Sequence, residues 1–244
     1  VDSLSINNLY SIDNEEVKNK NLYSAILNNR IDLLKKNKID LSITDARDHE
    51  SILKIFNEID PDIIIHLAAV SHANKSNKDP HTTFDNSLRT LEHTLDYARL
   101  KKKHVIYLSS SMVYGDFDSK DVNEETVCKP IGIYGTLKYS GELLVKAYNQ
   151  IFDLPYTIIR PSALYGERCV SRRVGQIFIE NAIQNLDINI KYYDQTIIDK
   201  NDITITNIQY RNIQCLRNFP LKWFHPIYLL LLFHINFHYY MIDQ

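Results

Sequence analysis

The chain has 244 residues, with 28 Lys+Arg against 30 Asp+Glu and a formal net charge of -2. Its 44% hydrophobic, 24% charged and 11% aromatic residues are an ordinary globular balance. That balance supports a sizeable core and argues against an intrinsically disordered chain and a general nucleic-acid binder. Three scattered cysteines, Cys128, Cys169 and Cys215, exclude a disulfide framework and a zinc cluster, so no metal is expected, and they fit a reducing cytosol.

The chain begins at Val1, and its only methionines are Met112 and Met241, so it reads as a fragment lacking its start. All six glycines lie between Gly115 and Gly175, which leaves no glycine-rich phosphate loop outside that window. The polar start carries no secretory signal. The apolar run Tyr228 to Phe233 is far shorter than the ~20 residues of a membrane span, and no membrane partner is expected.

In chain order, residues 3 to 40 are Asn/Lys-rich with a helix predicted around Leu22 to Lys36. Asp48 is a plausible N-cap for a helix carrying Ile52, Leu53, Ile55, Phe56 and Ile59, ended by Pro61. The run from Asp62 to Ala69 reads as a strand buried on both faces of a parallel sheet. Pro80 opens a helix with Phe84, Leu88, Leu91, Leu95 and Ala98 at helical spacing, closed by Lys101 to Lys103. His104 to Leu108 is a second buried strand running into Ser109-Ser110-Ser111. A helix follows from about Ile133 to Phe152, then a third strand from Tyr156 to Ile159 ending at Arg160-Pro161. A last helix covers residues 171 to 186.

Alternating strands and helices of these lengths imply right-handed βαβ units and a doubly wound, Rossmann-like parallel sheet in an α/β fold. Ligands bind beyond the carboxyl ends of such strands. Ala68-Ala69, Ser109 to Ser111 and Arg160-Pro161 all sit at such ends. Residues 1 to 190 form this partial domain. Residues 191 to 244 change character, with no glycine in 54 residues and 11 aromatics. They read as a poorly packed extension or the product of a shifted reading frame, and carry no assigned function.

Tyr134 and Lys138 are one helical turn apart on one face. A free tyrosine, with pKa about 10, is a poor base at neutral pH. A neighbouring ammonium favours the phenolate, and an oxidised nicotinamide does so further. The Ser110 hydroxyl at the adjacent strand end could share the proton of a substrate alcohol. Base, hydroxyl and hydride acceptor together suffice to oxidise a carbinol. Taken alone, the spacing equally describes a packed ring and a solvated lysine.

His66-Leu67-Ala68-Ala69, Ser109-Ser110-Ser111-Met112-Val113-Tyr114-Gly115, Tyr134-x-x-x-Lys138 with Ser140-Gly141-Glu142, and Arg160-Pro161-x-x-x-Tyr165-Gly166 occur in this order. The ordered set resembles the extended short-chain dehydrogenases/reductases, in particular the NAD-dependent nucleotide-sugar epimerase/dehydratase group, over about residues 1 to 186. The resemblance implies Tyr134 as catalytic base, Lys138 on the nicotinamide ribose, and Ser110 on the reacting hydroxyl. It also implies NAD as cofactor, lined by Leu67, Ala68, Ala69, Asn86 and Pro161. Asp45 and Ala46 would lie beside the adenine, and Asp2 on the adenosine ribose at the end of the family's second strand. The first strand and its glycine-rich turn would then be missing, and the C-terminal substrate part incomplete.

On the substrate side, a nucleotide-diphosphate sugar would meet Ser71, His72, Ser111, Met112, Ala163, Arg168 and Arg172. Arg173 joins the two arginines as a possible diphosphate contact, although the three equally suit a solvated helix start. His72 is either a sugar contact or an exposed loop histidine. Dehydratases of this group carry an acid two places after the catalytic Ser/Thr, where this chain has Met112, which cannot move a proton. Ser71-His72 looks instead like the dehydratase form of its loop. Many epimerases have an asparagine where this chain has Ala163. The reading is an NAD-dependent, cytosolic epimerase that oxidises a sugar hydroxyl to a ketone and returns the hydride to the other face. The rivals are a dehydratase, a keto-sugar reductase, and an inactive dinucleotide-binding fragment. A helix-paired homodimer is a further implication of the resemblance.

Overall fold

The structure is a computed structural model. It describes residues 1–5, 8–12, 19–70, 73–116, 122–162, 166–170, 174–184, 186 and 241–242. Two compact units are present, residues 1–171 with 238–244, and residues 172–237. The second holds one described helix, Val174–Ile183, inside the span expected to be helical. The rest of the description concerns the first unit.

Near the start, Asp2 forms a parallel bridge with Ile43. The Asp2 N–H donates to Ser42 O (3.1 Å) and Thr44 N–H to Asp2 O (3.2 Å), so Asp2 does lie in extended, paired backbone. Helix α1, Lys20–Lys36, buries Tyr23 and Leu27. Helix α2, His49–Ile59, starts where expected because the Asp48 carboxylate accepts from Ser51 N–H (3.2 Å). It ends one residue before Pro61, at Asp60 in the left-handed conformation.

Strands β1 (Ile63–His66), β2 (His104–Leu108) and β3 (Tyr156–Ile159) form a parallel sheet in the order β1-β2-β3. His66 is opposite Tyr107, and Leu108 opposite Ile159. A two-residue strand β4, Met241–Ile242, adds antiparallel to β3, from a stretch in which the sequence shows no strand pattern. Between β1 and β2 lie α3 (Ala73–Lys78), α4 (Pro80–Phe84) and α5 (Thr90–Lys101), the last two joined by a π-helical turn at Asp85–Arg89. Helix α6, Gly132–Phe152, connects β2 to β3.

The sheet is covered by α5 and α6 on one face. There Ile64, Val105, Tyr107, Tyr156 and Ile158 pack with Leu91, Leu95, Tyr97, Ala98, Val145 and Leu154 into one core. The expectation of a first strand buried on both faces is corrected by the structure. Ile63 and Ile65 point the other way and are 56% and 58% exposed. The isoleucine run reports strand propensity, but burial of a second face depends on elements that pack over it. Among the described residues none covers these two side chains, so the double winding expected of the fold is present on one face. No helix among the described residues is long and apolar enough to cross a membrane.

Candidate active site at the carboxyl edge of the sheet

The three parallel strands bring their carboxyl ends to one edge. Ser109 N–H donates to Ile159 O (2.8 Å) and Ser111 N–H to Pro161 O (3.0 Å), so the serine run and the Arg160-Pro161 segment lie side by side. Ser110 caps a short 3-10 turn, Ser111–Tyr114, its Oγ accepting from Met112 N–H at 3.2 Å. A hydroxyl that accepts in this way keeps its own proton to donate, and no described side chain or carbonyl takes it. Met112 is 41% exposed on this turn.

Helix α6 is laid across that edge by close contacts at two levels. A Cβ on Gly135 would lie 2.7 Å from Met112 O, so only glycine lets the first turn of α6 approach the 3-10 turn this closely. One turn later Lys138 is buried, its ammonium donating to Leu108 O at 2.5 Å and lying 5.3 Å from the Tyr107 ring centroid. Burial pulls the Lys138 ammonium down to about 8. Ser110 is thus flanked by Leu108, which holds Lys138, and by Met112, which touches the turn of Tyr134. Tyr134 is half-buried, and its hydroxyl has no hydrogen-bond partner among the described residues. The start of α6 is held from outside: Ile131 cannot cap it, and Asn77 of α3 accepts from Ile133 N–H (3.2 Å) instead.

Below the serine run sits a buried ion pair to which sequence reasoning assigned no role. Glu142, fully buried, receives Arg160 on both oxygens, Nε to Oε1 at 2.9 Å and a terminal nitrogen to Oε2 at 2.7 Å. Ser109 Oγ donates to Glu142 Oε1 (2.5 Å), and Arg160 donates to Tyr114 Oη (3.0 Å) and Glu124 O (3.3 Å). Burial opposes the guanidinium charge, but the bidentate carboxylate outweighs it and raises the Arg160 pKa above its ordinary value. The visible signal was Glu142 standing four residues after Lys138, on the same helix face.

His66 was also missed. Thr94 Oγ1 donates to Thr90 O (3.1 Å), so the 3.0 Å contact between His66 Nδ1 and Thr94 Oγ1 needs the ring to be the donor. The proton is therefore on Nδ1 and Nε2 is an acceptor, buried without a partner among the described residues. Burial, then the Lys138 charge, lowers the His66 pKa to about 3. The same threonine ladder reaches the strand end, since Thr90 Oγ1 donates to Asn86 O (2.9 Å) and lies 3.4 Å from Ala68 O. That places the π turn with Asn86 beside the exposed Leu67 and the half-buried Ala68 and Ala69. The Asn86 side chain itself donates to Thr82 O (2.8 Å).

The two acids expected at the adenosine end have local partners. Asp2 accepts from Leu4 N–H (2.6 Å) and Asn8 Nδ2 (3.4 Å). Asp45 is gripped by Arg47, with Nε 3.0 Å from Oδ1 and a terminal nitrogen 2.6 Å from Oδ2, which lowers its pKa. Ala46 O is 3.1 Å from His93 Nδ1. Arg168 is engaged by Asn29 (2.8 Å) and Glu167 (2.8 Å). Ser71, His72, Ala163, Arg172 and Arg173 lie outside the described residues. The geometry thus gathers Ser110, Ser111, Met112, Tyr134, Lys138 and Pro161, with Leu67 to Ala69 on the neighbouring strand end.

Comparison with known proteins bears on this arrangement. Residues 10–197 match the NAD dependent epimerase/dehydratase family. A putative UDP-glucose 4-epimerase of Methanocaldococcus jannaschii is 30% identical over 178 residues, 68% of this chain and 57% of that protein. A dTDP-glucose 4,6-dehydratase of Salmonella typhimurium is 26% identical over 69% of this chain and 52% of that one. The structure of UDP-glucuronic acid 4-epimerase from Bacillus cereus, in complex with UDP-glucuronic acid and NAD, is 26% identical and superposes with a TM-score of 0.59 over 68% of this chain and 52% of that one. The chain spans about half the length of the curated relatives it matches. The match takes in all three parallel strand ends and the whole of α6, and the chain belongs to the NAD dependent epimerase/dehydratase family.

Proposed function

We propose that the protein is an NAD-dependent nucleotide-sugar epimerase that inverts a carbinol carbon through a transient ketone. The observation that carries this reading is the placement of the Ser110 hydroxyl between the Leu108 carbonyl that holds Lys138 and the Met112 turn that touches the start of α6. Tyr134 would remove the proton of the sugar hydroxyl, and Ser110 would donate to the same oxygen as charge develops there. Lys138, already beside the strand end, would hold the ribose of the cofactor and favour the phenolate of Tyr134.

The residues at this edge fit the nicotinamide half of a dinucleotide. Leu67 is 69% exposed and leaves an open apolar floor next to Ala68 and Ala69. At the adenosine half, Asp2 and Asp45 would exchange their present partners for the ribose hydroxyls and the adenine. Bound NAD would supply the reversible hydride acceptor. Inversion would then require only that the flat ketone turn its other face before the hydride is given back to its carbon, with Tyr134 returning the proton to its oxygen.

Met112 favours epimerisation over dehydration. It occupies the turn position two places after Ser110 where elimination of water needs an acid, and a thioether holds no exchangeable proton. The test is incubation of the full chain and NAD with UDP-, GDP- and dTDP-sugars, followed by mass and stereochemical analysis. A product of equal mass and inverted carbon is expected. Loss of one water would assign a dehydratase instead, and stoichiometric consumption of reduced cofactor a reductase.

A further inference from the structure

Two side chains of helix α6 reach the end of strand β2 as parallel rungs, beside the Tyr107 hydroxyl that donates to Lys138 O. Lys138 reaches Leu108 O, and one turn further along Glu142 takes the hydroxyl proton of Ser109, the next residue of the strand. The spacing i, i+4 on the helix matches i, i+1 at the strand end, so the rungs share one helix face. Glu142 is also clamped by Arg160 at the end of β3, and Arg160 reaches back to Tyr114 on the turn that begins at Ser110. Three elements that carry the site therefore meet on one buried carboxylate.

We infer that Glu142, clamped by Arg160 and bonded to Ser109, is a positioning residue that sets the register of α6 against the β2 end and so keeps Lys138 on Leu108 and the first turn of α6, which carries Tyr134, against Met112. The inference deepens the epimerase reading and rests on it for its catalytic consequence. Its structural content concerns Lys138 and is readable without turnover. Breaking the Ser109 rung leaves the Glu142–Arg160 pair intact, so that Glu142 ties α6 to β3 alone. The Lys138 ammonium then has one fewer constraint holding it in its dry site, and small displacements of catalytic groups cost rate steeply.

Ser109→Ala in the full chain is the decisive variant, because it removes one hydroxyl without stranding a buried charge. Glu142→Gln is the companion and is expected to act in the same direction, while Ser109→Ala still decides if Glu142→Gln does not fold. Lysines are labelled by reductive 13C-methylation, and the Lys138 signal is identified by its loss in Lys138→Arg. In Ser109→Ala this signal is expected to titrate above its wild-type midpoint, toward the free-lysine value of about 10.4. Turnover with NAD and the active sugar nucleotide is expected to fall roughly tenfold in kcat with little change in KM. An unmoved Lys138 titration overturns the inference, even with a lowered Tm, since a merely structural bond would leave Lys138 where it is. Absence of wild-type turnover on every sugar nucleotide would count against the epimerase reading, and the Lys138 titration would still decide this one.

Discussion

The Tyr107 hydroxyl of β2 occupies the place that a Cβ on Gly141 of α6 would take, and the ring carbon Cζ lies 2.6 Å from that point. Glycine is what lets the helix lie down on the strand. The same hydroxyl donates to Lys138 O (3.3 Å), so the close approach sits at the turn of Lys138. Gly141→Ala is expected to destabilise the fold by about 1–3 kcal/mol through overpacking. Tyr107→Phe in the same chain should recover part of that loss. Urea unfolding of the two variants checks both statements.

The Glu142–Arg160 pair makes a second prediction. Arg160→Leu alone strands a buried carboxylate and should cost about 3–5 kcal/mol. Glu142→Leu combined with Arg160→Leu should cost clearly less than the two single changes added together. A double-mutant cycle by denaturant unfolding measures the difference.

His66 predicts a pH dependence of stability. Its folded-state pKa is lowered to about 3, against about 6.5 in an unfolded chain. The folded protein therefore keeps the ring neutral while the unfolded chain takes up a proton. The contribution is fully present above about pH 6.5 and is lost as pH falls toward about 3, at roughly 1.4 kcal/mol per pH unit for this one group. Unfolding free energies of wild type and His66→Leu, measured between pH 7 and pH 5, should converge as the pH is lowered, because only wild type carries the term.

Lys138 acts in the same sense in a higher pH window. A lysine lowered to about 8 has a folded state that disfavours its charge, so stability is expected to rise as pH increases from about 8 toward about 10.4. At neutral pH the buried ammonium costs stability, partly offset by its bond to Leu108 O. Lys138→Met is expected to raise stability by on the order of 1–2 kcal/mol while abolishing turnover. Thermal melts beside a turnover assay test the two halves separately.

Much of this architecture was legible because local signals agreed with it. The Asp48 cap, Pro80 at the start of α4 and the β-branched runs of β1 and β2 each state in sequence what the backbone does. The order of strand ends also followed, since parallel pairing forces Ala68, Ser109 and Pro161 to one edge. Burial of individual groups was not legible. Ile63 and Ile64 are the same residue type with opposite exposure, because exposure depends on what packs over the sheet. Glu142 and Arg160 look like ordinary surface charges until the fold closes a pair across 18 residues of chain. The π turn at Asp85–Arg89 interrupts a helix whose apolar spacing runs on without a visible break, and it is what sets Asn86 beside Ala68.

Tyr134→Phe tests most directly whether Tyr134 is the base of a reaction at the carboxyl edge of the sheet. The measurement is the initial rate of sugar-nucleotide epimerisation in saturating NAD for wild type and variant, with equal folded stability verified by melting. Loss of the phenolic oxygen is expected to lower the rate by at least about a hundredfold, the scale of a general base, with cofactor binding retained. A variant that turns over at the wild-type rate would contradict the account.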